Sequence, residues 1–414
     1  MPEKMQIVAI ADPDEEKRAC VQARYHVPPE NCFAQGEEMF AEKKLADVAF
    51  ICTQDRQHTA HAVAALDKGY HLLLEKPIAV EIQDVKAIQA AADRSGLHVV
   101  VCHVLRYAPF FEEIRASIKR GDVGDVVCIQ ALENVRYWLQ AHSYVRGNWR
   151  SEKQSAFMLL AKCCHDIDYL VWLCGGVRCK RVSSFGSLRH FKPECAPQGA
   201  AQRCVDCPAE VKEACPYDAE NIYLTHADTG VLAGNTDWPC SILALHPDEK
   251  SIREALSVGP YGRCVYHCDN DVVDNQIVNM EMEDGTHCQL MMAAFTARGG
   301  RSIRVLGTHG AIEGDMDENI IRIEPFGKPE RVINLAQQGS DPAGHGGGDL
   351  RMVDELIRML HEGGMPCGRM TTLEASAESH YIAFAAVWLL RLLTFVDNTT
   401  MNGPTGMFRP VVCA

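Results

Sequence analysis

An α/β protein in two parts is what this sequence predicts: a parallel sheet covered by helices on both faces, then a second α/β unit built on a large, mostly antiparallel open sheet. Three observations carry the expectation. Short apolar runs alternate with helical stretches from residue 6 to residue 124, polar groups stand at the ends of those runs, and the later chain turns to segments of period two.

The first part can be justified element by element. "QIVAIAD" at 6–12 is a short apolar strand, and the acid-led "PDEEKRACVQARY" after it has helical spacing. The unit recurs as "DVAFICT" before "HTAHAVAALDKG", "HLLLE" before "IQDVKAIQAAADRSG" and "HVVVCH" before "FFEEIRASIKRGDVG". Near-continuous apolar strands joined by helices imply parallel pairing, and ligands of such sheets sit at the strands' carboxyl ends. Those ends present Asp12, Thr53, Glu75 with Lys76, and His103 with Arg106. Pro77 restricts the backbone of Lys76, so this lysine is held in place rather than waving in solvent.

Composition narrows the partners. A chain of 414 residues with a net charge of −14 and no basic run is not a general nucleic-acid binder, which leaves small molecules. The most apolar long segment, "YIAFAAVWLLRLLTFV" at 381–396, is short for a bilayer span and carries Arg391, so it reads as a buried helix and no membrane partner is expected. Nineteen cysteines without a secretory leader point to a reducing, cytoplasmic setting.

Asp12 has a sharper meaning in a Rossmann-type, dinucleotide-binding sheet, where an acid ending the second strand accepts hydrogen bonds from the adenosine ribose. The glycine fingerprint that should lie about 20 residues upstream is absent, because only eleven residues precede Asp12. The expected sheet therefore lacks its first strand and phosphate loop. The Asp12 carboxylate would repel a ribose 2′-phosphate, so NAD is the expected cofactor.

"AIADPDEEKR", "CTQDRQHTAHAVAALDKGYHLLLEKP", "HVLRYAPF" and "KCCHDIDYL", in that order, resemble the Gfo/Idh/MocA family of NAD(P)-dependent sugar and polyol oxidoreductases. The resemblance runs from about residue 6 to residue 396. It implies that Lys76 lies where nicotinamide and substrate hydroxyl meet, with Glu75, Thr53, His58 and Arg106 on the cofactor side. It also implies a second domain whose open sheet walls the cleft and often forms the oligomer interface, hence a homo-oligomer, dimer or tetramer. Where the family writes D-x3-H-x2-D, this chain has Ala161, Lys162, His165 and Asp168. His165 becomes the candidate proton acceptor, Lys162 a cationic substitute for the missing acid, and Asp168 a substrate contact.

The expected domains are 1–128, 129–396 with a cysteine-rich insertion at 190–240, and a tail at 397–414. Aromatic, Arg and Asn residues interleaved at 134–151 suit a sugar, since rings stack on CH faces while polar groups address hydroxyls. Tyr144, Arg146, Asn148 and Trp149 are the candidates there, joined by His345 and Asp349 from "GHGGGDL" at the start of a helix at 349–362. "RVSSFGSL", "QIVNMEMEDGTHCQLMMAAF", "SIRVLGTHGAIEGD" and "IIRIEPF" read as the second domain's strands, with "MEDGTH" as a two-residue hairpin turn. Cys204, Cys207 and Cys215, completed by Cys264 or Cys268, have the spacing of a structural zinc site. Three functions follow in order of expectation: NAD-dependent oxidation of a secondary hydroxyl of a sugar, glycoside or polyol; NAD-dependent glycoside hydrolysis through transient oxidation; and sugar binding without catalysis.

Overall fold

The computed structural model describes residues 3–338, 343–363 and 368–393; the expected tail lies outside the described residues. The first sheet is interrupted. Strand β1 (Ile10–Ala11) pairs in parallel with β2 (Cys32–Phe33), while β3 (Val48–Ile51), β4 (His71–Leu74) and β5 (Val99–Val101) form a separate parallel sheet. Among the described residues no strand joins β1 to β3, which is where the missing first strand was expected. Leu72, Leu74 and Val101 are fully buried, as strands covered on both faces must be.

Local chemistry places the helices. Asp14 caps α1 (Glu15–Tyr25) by accepting from the amides of Glu16 and Lys17. Helix α2 (His58–Asp67) follows β3, and α3 (Ile82–Ser95) follows β4, burying Val85, Ile88 and Ala91 before Gly96 ends it in the left-handed region. Pro109 opens α4 (Pro109–Lys119), whose Phe110, Phe111 and Ile114 enter the core.

The second sheet has eight strands: β6 (Val126–Arg136), β7 (Cys179–Ser187), β8 (Asn275–Met282), β9 (His287–Thr296), β10 (Gly300–Gly307), β11 (Gly310–Asp315), β12 (Ile320–Pro325) and β13 (Arg331–Asn334). Their order is β13-β12-β11-β10-β6-β9-β8-β7, antiparallel throughout except for β6 with β9. The central strand β6 begins at Val126, so the boundary expected after residue 128 falls inside it. The β8–β9 turn is also one residue longer than expected: Met282 pairs with Thr286 around Glu283, Asp284 and Gly285, and Gly285 takes φ 88°.

Between β7 and β8 the chain builds a loop-rich subdomain with its own core of Phe191, Tyr217, Tyr223, Ile252, Leu256 and Tyr266. It reaches past residue 240, because an antiparallel bridge from Arg203 to Arg263 draws in the loop bearing Cys264 and Cys268.

Three further helices position the site: α5 (Cys164–Leu173), α6 (Ala343–Glu362) and α7 (Leu373–Leu393). The last packs against both domains. His380 accepts the Ile78 amide at 2.8 Å, Tyr381 donates to Gln89 at 2.8 Å, and Glu378 accepts the Cys179 amide at 2.9 Å. Among the described residues no helix is long and apolar enough to cross a membrane.

Candidate active site

Lys76 leaves the carboxyl end of β4 through a cis peptide to Pro77. Its ammonium donates to the Ala161 carbonyl at 2.8 Å, across the cleft, and lies 6.0 Å from the centroid of the Trp149 ring. A backbone oxygen thus holds the lysine beside Ala161. The turn itself is pinned by His58, buried with Nδ1 2.7 Å from the Pro77 carbonyl and Nε2 3.0 Å from the Thr53 carbonyl. His58 therefore braces the cofactor-side loop instead of presenting a free ring nitrogen. Thr53 contacts His61 at 3.1 Å, and Glu75 accepts the Lys76 amide at 3.2 Å. At the end of β1, Asp12 uses Oδ1 to accept the Asp14 amide at 2.8 Å, with Oδ2 unbonded among the described residues.

His165 projects from the first turn of α5 toward the same place, 4% exposed, with Nδ1 lacking a hydrogen-bond partner among the described residues. Its ring stands 5.6 Å from that of His103 and 5.7 Å from that of His345. Burial first, then Lys76, His103, His345 and Arg301, hold its pKa well below the ordinary imidazole value. Lys162, by contrast, is spent: it pairs with Glu133 at 2.8 Å. Arg301 reaches Glu133 at 2.9 Å and Asp166 at 2.7 Å, so two carboxylates and two cations balance one another under the cleft. Burial opposes the Glu133 carboxylate, but Arg301 and Lys162 outweigh it and keep the pKa below the usual carboxylate range.

Several expected roles are corrected by geometry. Arg106 and Asp168 form a bidentate pair, both bonds 2.6 Å and both side chains buried, so neither is free for cofactor or substrate. Arg146, from the loop between β6 and α5, is fully buried against the insertion, donating to the carbonyls of Arg263 and Tyr217 at 2.7 Å and to Cys204 Sγ at 3.4 Å. It holds the insertion together and contacts no cleft residue named above. Tyr144 is buried 6.2 Å from the Trp149 ring, and Asn148 is exposed. Gly147 turns this loop where an added Cβ would fall 2.6 Å from the His142 carbonyl.

The zinc expectation is not supported. The Arg146 guanidinium stands against Cys204, Cys207 takes the Ala201 amide at 3.3 Å, and Cys268 turns to the Cys264 carbonyl at 3.3 Å. Cys215 packs against the same apolar core. Among the described residues no group of three or more His, Cys, Asp or Glu side chains is placed to hold a metal ion.

Sequence reasoning missed Glu133, Arg301, Asp55 and His380. The first two carried a signal: Glu133 keeps the inward parity of Ile129, Ala131 and Val135 on β6, as Arg301 does with Ile303 and Val305 on β10. An ion at an inward position demands a buried partner. Asp55 is buried and takes the Ser155 hydroxyl at 2.5 Å and the Trp149 indole at 3.2 Å, tying the aromatic loop to the first domain. No sequence pattern announced that contact.

A parallel sheet with cleft-facing lysine and histidine, set against an eight-stranded open sheet, defines a two-domain oxidoreductase of the dinucleotide-dependent class. The chain belongs to the Gfo/Idh/MocA family: residues 1–103 match its oxidoreductase domain with NAD-binding Rossmann fold, and residues 115–366 its C-terminal alpha/beta domain. It is 24% identical over 377 residues to the putative oxidoreductase YteT of Bacillus subtilis strain 168, covering 85% of this chain and 82% of that protein. A shorter stretch, 136 residues or 32% of this chain and 39% of that protein, is 29% identical to the 1,5-anhydro-D-fructose reductase of Ensifer adhaerens. The fold matches that of a levoglucosan dehydrogenase in complex with NADH and levoglucosan, with TM-score 0.66, 16% identity, and 94% of this chain and 89% of that one covered.

Proposed function

We propose that this protein oxidises a secondary hydroxyl of a sugar, glycoside or polyol with NAD, using Lys76 to polarise the hydroxyl and His165 to receive its proton. The observation that carries the proposal is the Lys76 ammonium held at the Ala161 carbonyl by the carboxyl end of β4, near enough to the buried His165 to help lower its pKa. An ammonium near the hydroxyl oxygen stabilises developing negative charge, and a neutral imidazole can accept the proton at ordinary pH. Trp149 offers an aromatic face beside Lys76 for the CH side of a ring, and His345 and Asp349 stand at the cleft's opening.

The residues present fit two ends of a dinucleotide. Asp12, with a carboxylate oxygen unbonded, suits a ribose, and Thr53, Glu75 and Lys76 border the nicotinamide end. NAD supplies a hydride acceptor when bound; the chain's own groups orient the alcohol and move its proton. A homo-oligomer, dimer or tetramer, is supported by the outer face of the large sheet, where Leu132, Phe185 (62% exposed), Ile277, Met291 and Phe295 are uncovered.

The test is formation of reduced nicotinamide from NAD and a panel of glucose, levoglucosan and myo-inositol. Lys76→Ala is expected to lower kcat by ~10²–10⁴-fold with an unchanged circular dichroism spectrum. A variant with near wild-type kcat would remove Lys76 from the reaction. Aryl glycosides cleaved with NAD unconsumed would instead establish glycoside hydrolysis through transient oxidation.

A further inference from the structure

A proton received by His165 has to leave a buried, cationic place. Inward lies His103, fully buried with neither ring nitrogen bonded, and beyond it His380, also fully buried, at a ring distance of 5.6 Å. That direction is closed, because His380 Nε2 accepts the Ile78 amide and its Nδ1 faces the Ser376 carbonyl and Ser379 hydroxyl. Outward lies His345, 49% exposed, its Nδ1 3.1 Å from an equally accessible Asp349 carboxylate.

The backbone is shaped to put His345 there. Its φ of 41° is left-handed, which costs a non-glycine residue ~1–2 kcal/mol. Gly346 and Gly347 continue in that region, and Gly348 brings the segment so near β5's following turn that an added Cβ would lie 2.3 Å from the Val104 carbonyl. A strained residue, an unpartnered buried ring nitrogen on His165 and a half-exposed imidazole–carboxylate pair coincide within one ring spacing.

We propose that His345 and Asp349 form a proton relay between His165 and solvent. The inference rests on His165 being the proton acceptor. In oxidation the carbinol C–H breaks and its electron pair leaves with the hydride for the nicotinamide, while the O–H breaks and its proton goes to His165. The oxygen lone pair closes the carbonyl. His165 then passes the proton through one solvent molecule to His345 Nε2, and His345 gives up its Nδ1 proton by way of Asp349 to bulk buffer; both rings are then neutral, and the half-exposed His345 returns from its Nε2–H to its Nδ1–H tautomer by proton exchange with solvent before the next turnover. The charged groups facing the path are Lys76 from the β4 turn, Arg301 from β10, Glu133 from β6 and His103 after β5, besides Asp349 on α6.

The relay can be read without substrate or cofactor, from the exchange of the His165 ring N–H with water in ¹⁵N-histidine NMR. His345→Asn, which tolerates the left-handed backbone, is expected to slow that exchange by about tenfold or more, with added imidazole restoring it. Asp349→Asn, at the surface, should slow it in the same direction by less. Unchanged or faster exchange in both variants would overturn the relay. With the best substrate of the panel above, His345→Asn should lower kcat and make it depend on buffer concentration, whereas a raised KM with kcat intact would assign His345 to substrate binding instead. Near wild-type turnover in His165→Asn would refute the proton acceptor itself, a separate result from loss of the relay.

Discussion

Arg301 and Arg146 are both buried in this protein, and they are buried on opposite terms. Arg301, beneath the cleft, sits between the carboxylates of Glu133 and Asp166, with Lys162 completing a balanced set of four charges. Arg146, buried against the insertion, meets no carboxylate among the described residues; two backbone carbonyls and one thiol receive it, and its Nη1 has no partner there. The difference separates two uses of a guanidinium. In the cleft it fixes an electrostatic environment around a reacting group, while in the insertion it ties together loops that have little regular secondary structure of their own.

Removing each arginine tests that contrast most strongly. Arg301→Met strands the buried Asp166 carboxylate and leaves Glu133 with Lys162 alone, and should cost ~3–5 kcal/mol of stability in urea unfolding. Arg146→Met takes away a charge that has no ionic partner and keeps the volume, so the loss should be ~1–3 kcal/mol, from carbonyls left without a donor. Equal losses would erase the distinction.

Acid should weaken both regions through their histidines. Burial, chiefly, lowers His380 in the domain seam and His142 in the insertion to about 3. Both stay neutral in the folded state below the unfolded value of about 6.5, so the unfolded chain binds more protons there. Stability is full above pH ~6.5 and falls as pH drops toward 3, by up to ~1.4 kcal/mol per pH unit for each such group. Unfolding curves that coincide from neutral to mildly acidic pH would contradict this.

A smaller shift is expected from Ala161→Asp. It returns a carboxylate beside Lys76, which raises the His165 pKa and moves the acidic limb of the oxidation rate upward by about one unit. A limb insensitive to both Ala161→Asp and His165→Asn would send the proton by another route, through Lys76.

How much of this was legible in the sequence follows the range of each interaction. The strand–helix rhythm, the interrupted first sheet and the place of Lys76 are local, written in apolar runs and in Glu75-Lys76-Pro77. The Arg106–Asp168 pair was not, because it joins residues 62 apart through tertiary contact, and each read as a strand-end or helix ligand on its own. Glu133 and Arg301 stood in plain view by parity, but β6 was not recognised as a strand, so the parity had no frame. Cysteine spacing suggested zinc, yet spacing carries no information on the buried guanidinium that meets Cys204.

The most direct measurement is reduction of NAD with the sugar and polyol panel by wild type, Lys76→Ala and Arg146→Met side by side. Turnover in wild type, a loss of at least ~100-fold in Lys76→Ala and near wild-type kcat in folded Arg146→Met are the results expected of a cleft that does the chemistry and an insertion that supports it. Full turnover without Lys76, or its loss on changing Arg146 alone, would contradict that assignment.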